Sequence, residues 1–290
     1  MNVLVTGANG LLGSEIKSLT DHFTNLKFFF KGSSDLNICN LKELDVFFNS
    51  NKIDSIINCA AYTAVDKAEE DILNAKKVNE EGVLNLVNIS KKINAKLIHI
   101  STDYVFNGES FIPYKEIDGV SPIGVYGNTK REGELSVLNS DVDGLVIRTS
   151  WLYSSYGNNF VKTMLRLGEN RDELSVIFDQ VGSPTYARDL ALACLNILDN
   201  SEENKISSNG KMYHFSNEGV ASWYDFAKAI MFIGDVKCNV KPIETKDYPT
   251  PAKRPHFSVL NKTKIKNDFG IEIPYWRDSL TDCISKLKNK

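Results

Sequence analysis

The chain has 290 residues, which suits two unequal domains or one large α/β domain with an appendage. Apolar residues make up 42% and charged residues 24%, proportions that exclude wholesale disorder and fibrous repeats. A net charge of −3 excludes a surface built as a whole for nucleic acid, and no apolar run approaches the roughly 18–20 residues of a membrane span, so neither partner is expected.

The opening Met1-Asn2-Val3-Leu4-Val5 has no basic leader and reads as a strand over 2–6 rather than a signal peptide. Helical spacing follows over 11–19, an apolar run over 27–30, and an amphipathic stretch over 41–48. A strand is predicted at 55–59, a long helix at 71–93, and two buried strands at 97–101 and 144–148. Strands separated by helices close right-handed into a parallel sheet, which predicts a Rossmann-type doubly wound α/β domain over 1–150.

After Trp151 the rhythm changes. Glycine, proline and polar residues cluster at 156–159 and 179–185, with helical stretches at 187–198 and 222–233. A proline-rich passage at 248–255 and a short C-terminal helix complete the chain. Residues 151–290 are expected to form mostly a smaller substrate-binding domain, with later segments returning to the sheet. From Lys241 to Lys290 there are eleven Lys/Arg and six Asp/Glu, a local +5 that reads as a solvated tail or as a basic lip for an anionic ligand.

The five cysteines, Cys39, Cys59, Cys194, Cys238 and Cys283, are widely spaced with no CxxC pair. Reduced thiols in the cytoplasm are expected, not a disulfide framework or a zinc site. His22, His99, His214 and His256 show no metal-ligand spacing.

Gly7-Ala8-Asn9-Gly10-Leu11-Leu12-Gly13 spells GxxGxxG between the first strand and first helix. Gly7 permits the tight turn, Gly10 lets the backbone approach a pyrophosphate, and Gly13 lets the helix pack on the strand. The helix N-terminus offers free N–H groups to the phosphates. The second strand ends Phe30-Lys31-Gly32-Ser33-Ser34, with no carboxylate before Asp35. An NAD site often has an acidic residue there for the ribose 2′-hydroxyl; Lys31 and the serines would suit a 2′-phosphate instead.

Tyr126-Gly127-Asn128-Thr129-Lys130 is YxxxK, which puts a phenol and an ammonium on one helix face. A neighbouring ammonium favours the phenolate and would lower the tyrosine pKa from about 10. The strand at 97–101 delivers Ser101-Thr102-Asp103 to the C-terminal sheet edge, where open α/β sheets place their ligands. A hydroxyl there can bond a substrate carbonyl beside the tyrosine.

These features together resemble the extended short-chain dehydrogenase/reductases, and longer strings narrow the likeness. The segments at 58–69 (NCAAYTAVDKAE), 101–108 (STDYVFNG), 126–134 (YGNTKREGE), 148–153 (RTSWLY), 179–185 (DQVGSPT) and 248–255 (YPTPAKRP) are similar to those of the dTDP-4-dehydrorhamnose reductase family. The resemblance implies Thr102, Tyr126 and Lys130 as catalytic residues. It implies Gly7, Gly10, Leu11, Leu12 and Gly13 as the pyrophosphate loop, and Asp35 and Leu36 as adenine-side contacts. Ala60, Ala61 and Tyr62 would run along the cofactor, with Tyr126 and Lys130 at its nicotinamide end. Asp103 and Trp151 would contact substrate, although Trp151 also reads as core.

Some relatives carry an acidic residue where this chain has Phe30, which favours NADPH, with NADH possible. Some bind Mg²⁺ at a dimer interface through glutamates. Glu15 matches the first, Asp189 stands in place of the second, and the last has no counterpart, so no metal site is assigned. The expected activity is reduction of the C4 ketone of a nucleotide-linked 4-keto-6-deoxy sugar by a cytoplasmic monomer or homodimer. The alternatives are a sugar-nucleotide epimerase or dehydratase of the same superfamily, or a non-catalytic binding protein like the methionine adenosyltransferase regulatory subunit.

Overall fold

A computed structural model describes residues 1–199 and 212–289. Residues 200–211 and Lys290, within the expected second domain and the basic stretch, lie outside the described residues.

The first half runs β1 (Asn2–Thr6), α1 (Leu11–Lys17), β2 (Lys27–Lys31), α2 (Leu41–Ser50), β3 (Ser55–Asn58), α3 (Val65–Ala68) and α4 (Ile72–Lys76). A π-helical turn over Lys77–Glu81 leads into α5 (Gly82–Ile93), then β4 (Lys96–Thr102), α6 (Val125–Leu138) and β5 (Gly144–Thr149). The second half holds β6 (Leu152–Tyr153), α7 (Phe160–Glu169), β7 (Glu173–Ile177), β8 (Val181–Gly182), β9 (Thr185–Tyr186) and α8 (Ala187–Asp199). It continues with β10 (Met212–His214), β11 (Ala221–Ser222), α9 (Trp223–Gly234), β12 (Asn239–Ile243), α10 (Thr263–Phe269) and α11 (Trp276–Lys288).

The main sheet has the order β10-β5-β4-β3-β1-β2, with every pair parallel. The chain moves outward from β1 to β2 and then returns past β1 to β3. This reversal opens a crevice beyond the C-terminal ends of β1 and β3, where doubly wound folds bind ligands. Alternate residues serve opposite faces, as strand geometry requires. Val3, Val5, Ile57, Ile98, Leu145 and Ile147 pack with α1 and α8, whereas Leu4, Ile56, Leu97 and Val146 pack with α2 and α5. Burial on both faces explains why these strands read as unbroken apolar runs.

Beyond Thr149 the chain alternates between two cores. Helix α8, strand β10 and residues Ile265 and Ile271 join the main sheet and its covering helices. A separate core forms from α7, α9, α11, β7 and β12, around Val161, Met164, Leu174, Phe226, Ile230, Val240 and Leu280. Helix α7 was not expected from the sequence, because the polar cluster before it reads as loop. Asn159 in that cluster is its N-cap, accepting from Lys162 N at 3.3 Å.

The single helix expected over 71–93 is instead interrupted by the π-helical turn. The reason is Asn79, which is fully buried and bonded away from its own helix. It accepts from Tyr62 N at 2.9 Å and donates to Tyr62 O at 3.2 Å and to Thr129 Oγ1 at 3.1 Å. Such bulges commonly mark functional regions.

Candidate active site

The glycine-rich turn does what its spacing requires. Gly7 has a φ of +62°, and a side chain there would meet Ala60 N at 2.6 Å. Gly7 therefore seals the β1 end against the β3 end. A side chain at Gly13 would meet Ala8 Cα at 2.6 Å, so this glycine packs the helix onto the turn rather than onto the strand. Gly10 differs: a Cβ there meets only the Gly7 carbonyl oxygen, at 3.2 Å, while Gly10 itself lines the cavity. Its bareness keeps the backbone open to whatever the cavity takes. Helix α1 follows with no side-chain cap and no acidic residue in its first turn. A bare turn and uncapped N–H groups fit the pyrophosphate of a dinucleotide.

One cavity of about 840 Å³ collects most of the expected residues, a volume usual for small-ligand sites. Its wall includes Gly7, Gly10, Leu11, Leu12, Leu36, Ala60, Ala61, Tyr62, Thr102, Asp103, Tyr126, Lys130 and Trp151. Asn58 pairs with His99, so β4 runs three residues beyond the end of β3 and lifts Ser101 and Thr102 over it. Helix α6 brings Tyr126 and Lys130 to the same rim. Two glycines seat that helix: a side chain at Gly127 would meet Tyr104 O at 2.2 Å, and one at Gly133 would meet Asn79 O at 2.3 Å.

Thr102 carries one proton and several partners. Its hydroxyl donates to Asp103 Oδ1 at 3.0 Å and accepts from Tyr104 N at 3.2 Å, and it borders the same cavity as Tyr126. Asp103 is buried, and its Oδ2 has no partner among the described residues; Ser101 Oγ is likewise unpartnered. Burial pushes the Asp103 carboxyl up to about 7 despite the Thr102 hydrogen bond. Lys130 donates to the Ile100 carbonyl at 2.7 Å, and burial brings it down to about 8 against the attraction of Glu134.

The expected lowering of the Tyr126 pKa by Lys130 is not found. Burial pushes the phenol up to about 12, Thr102 opposes this weakly, and the Asp103 charge adds to it. The Lys130 ammonium is turned onto Ile100 O instead. Tyr126 is thus fully protonated at neutrality, which suits a proton donor.

Trp151 sits between the cavity and the second core. It lines the cavity, and its ring stacks on Trp223 with centroids 3.7 Å apart. Its φ is +49°, a left-handed conformation unusual for a bulky side chain. A side chain at Gly182 would meet its ring at 2.8 Å, which explains the glycine of 179–185. Gly108, at φ +80°, similarly packs against Pro255, joining the STDYVFNG and YPTPAKRP strings.

Three expected cofactor residues stand off the cavity: Gly13, which seats the helix on the turn, Lys31 and Asp35. Lys31 lies with its ammonium over the Phe47 ring, 5.5 Å from the centroid. Asp35 turns back to accept from Gly32 N at 2.9 Å. Gly32 and Ser33 line the wall there instead. Among the described residues none from 241 onward lines the cavity, although Arg254 pairs with Asp66 at 2.7 Å close to Tyr104. Lys241 pairs with Glu173, Lys262 and Lys266 with Glu218, and Lys286 with Asp282.

Glu15 and Asp189 are occupied by protein donors. Glu15 accepts from Ser154 Oγ at 2.6 Å and faces Arg188 at 3.8 Å, while Asp189 accepts from Ser279 Oγ at 2.5 Å and Asn217 Nδ2 at 2.6 Å. No cluster of three metal-ligating side chains occurs among the described residues. Nor is any described helix long and apolar enough to cross a membrane.

The family model described as the RmlD substrate binding domain matches residues 1–289. The dTDP-4-dehydrorhamnose reductase of Aggregatibacter actinomycetemcomitans is 41% identical over 285 residues, covering 96% of each chain. Among solved structures, a dTDP-4-dehydrorhamnose reductase of Clostridium acetobutylicum has a TM-score of 0.93 at 42% identity, covering 99% of this chain and 100% of that one. The dTDP-4-dehydrorhamnose reductase of Bacillus anthracis, solved in complex with NADP, has a TM-score of 0.91 at 37% identity over 98% of this chain and 99% of that one.

Proposed function

This chain belongs to the dTDP-4-dehydrorhamnose reductase family, and from that premise we propose that it reduces the C4 ketone of dTDP-4-dehydro-L-rhamnose to give dTDP-L-rhamnose. The observation that carries the reading is the convergence of Thr102, Tyr126 and Lys130 with the glycine turn on one cavity. The bound dinucleotide supplies the hydride that reduces C4.

NADPH is the cofactor of this reading. The NADP-bound relative supports it, as does the end of β2 at Lys31, with no carboxylate before Asp35, whose Oδ2 turns back to Gly32 N. Gly7, Gly10, Leu11 and Leu12 would hold the pyrophosphate, with Gly13 seating the helix behind them, and Leu36 with Ser33 would border the adenine end. Ala60, Ala61 and Tyr62 line its length.

Tyr126 donates its phenolic proton to the oxygen that becomes an alkoxide. Its high pKa keeps that proton in place until the acceptor grows basic enough to take it. Thr102 turns its one proton from Asp103 Oδ1 to the same oxygen and orients it. Lys130 holds the ribose hydroxyls and replenishes Tyr126, a role suited to a buried amine titrating at about 8. Asp103 and Trp151 border the sugar, with residues 151–289 supplying most of the substrate-binding portion.

The test is incubation of the protein with dTDP-4-dehydro-L-rhamnose and NADPH, following loss of NADPH absorbance and identifying the product by NMR. The expected result is stoichiometric oxidation and one C4 epimer, the rhamnose. No oxidation, or a protein purified with tightly retained nicotinamide that isomerises or dehydrates sugar nucleotides, overturns the reading.

A further inference from the structure

The polar interior beneath Lys130 takes part in none of these steps. Thr6 on β1, Asn58 on β3 and His99 on β4 stand side by side across the sheet, Thr6 opposite Asn58 and Asn58 opposite His99. All three are buried. Their donors and acceptors follow from one group that has no choice. The Ala60 backbone N–H can only donate, and it meets Asn58 Oδ1 at 3.2 Å. The Thr6 hydroxyl donates to the same oxygen at 2.7 Å. The other end of the amide is therefore its NH₂ group, and it lies 3.0 Å from His99 Nδ1.

A ring nitrogen facing an NH₂ group must accept, so neutral His99 carries its proton on Nε2. That N–H edge faces Lys130 Nζ at 3.5 Å. An imidazolium has no place here, because its two N–H groups would face the Asn58 NH₂ and the Lys130 ammonium. Burial pushes His99 well below the usual imidazole range, in the same direction.

Resting on the reading of Lys130 as the residue that holds the ribose, we infer that His99 is a positioning residue for Lys130. By presenting an N–H rather than a lone pair, it denies the ammonium a second protein anchor. Lys130 keeps the Ile100 carbonyl as its one acceptor among the described residues, and it borders the cavity. The same edge eases loss of a proton from Lys130. Two other groups facing Lys130 act oppositely: Glu134 from its own helix and Cys59 just after β3 both favour the charge. Glu134 is shared with Arg131 and Arg148. Burial outweighs both and brings Lys130 down to about 8, where the polarity of the His99 edge tells.

Two measurements test this. Nitrogen-15 NMR of the histidine-labelled full chain should show His99 neutral and protonated on Nε2 across the pH range in which the protein is folded. A proton on Nδ1, or an imidazolium, overturns the inference whether or not the protein binds NADPH. NADPH affinity, titrated by fluorescence against pH, should weaken through the Lys130 ionisation. In His99→Gln the amide oxygen can face the ammonium, which should move that midpoint upward by about one pH unit. An unchanged midpoint in a folded variant overturns the inference. Failure of the wild type to bind NADPH would count against the dinucleotide reading, and the tautomer measurement would still decide this one.

Discussion

The Arg148 guanidinium grips the Glu134 carboxylate at two points, Nε to Oε1 and Nη2 to Oε2, both at 2.7 Å and both out of solvent. Glu134 is four residues past Lys130 and eight past Tyr126 on α6, so the three side chains follow one face of the helix. The pair ties that helix to β5 and fixes the rotation at which it presents its phenol and amine.

Glu134→Gln should therefore cost about 3–5 kcal/mol of stability, because it leaves the Arg148 charge buried with one partner fewer. Phe106, whose ring lies 5.0 Å from the guanidinium, does not replace a carboxylate. Replacing both partners, Glu134→Leu with Arg148→Met, should recover much of the loss. Urea unfolding checks this; a double variant as unstable as the single would show that the pair contributes more than mutual neutralisation.

Asp103 should make stability fall as pH rises. Its carboxyl titrates at about 7 in the fold against an ordinary value of 3.8, so the folded state holds the extra proton between these values. The stabilisation is complete below about 4 and is lost by about 7. Asp103→Asn removes the titration, so its melting temperature should gain on the wild type through this window. The full difference is up to about 4 kcal/mol. A constant offset across the window would show that Asp103 ionises normally.

Much of the site was legible because its chemistry is tied to strand ends and one helical turn. GxxGxxG, Thr102 and YxxxK depend on local spacing, and the structure gathers Gly7, Gly10, Thr102, Tyr126 and Lys130 on one cavity wall, with Gly13 behind it. What escaped was set by contacts distant in sequence. Asn79 looks like any polar helix residue until Tyr62 and Thr129 are brought to it. His99 reads as an ordinary residue in an apolar strand, and only the neighbouring Asn58 assigns its proton. Strand β10 is three residues long, too short for a periodic signal. Lys31 was read from its place at a strand end, but Phe47 on α2 determines where its ammonium lies.

That position changes what Lys31→Ala should do. The ratio of kcat/KM for NADPH over NADH should stay within about twofold of wild type, as for a surface substitution. Ser33→Asp, which puts a carboxylate on the cavity wall, should shift preference toward NADH. A collapse of NADPH preference in Lys31→Ala would show that the lysine swings inward when the cofactor binds.

Trp151 allows its conformational and contact roles to be separated. Both Trp151→Ala and Trp151→Gly delete the stack on Trp223, but only glycine accepts a φ of +49° without strain. The glycine variant should be the more stable by about 1 kcal/mol. Both should raise KM for the sugar nucleotide and leave NADPH affinity nearly unchanged. Equal melting temperatures would mean that the loop relaxes out of the left-handed conformation once the indole is gone.

Tyr126→Phe tests the chemistry most directly. The phenyl ring keeps the edge-on packing against Tyr104, whose centroid lies 5.4 Å away, so stability should barely move. The hydroxyl faces the cavity beside Thr102 and has no structural duty visible beyond the site. NADPH affinity should therefore persist, while kcat falls by about 10²–10⁴-fold with loss of the positioned acid. Lys130→Ala should differ in kind, weakening NADPH binding as well as turnover. Thr102→Val should lie between them, since it loses the orienting hydroxyl but keeps donor and cofactor. Because the phenol titrates near 12, no wild-type loss of rate between pH 6 and 9 should trace to Tyr126 itself. An alkaline limb near 8 would belong to Lys130, and it should vanish in Lys130→Ala. Near-wild-type kcat in Tyr126→Phe on the 4-keto sugar would remove the tyrosine from the reaction and leave water in the cavity as the proton source.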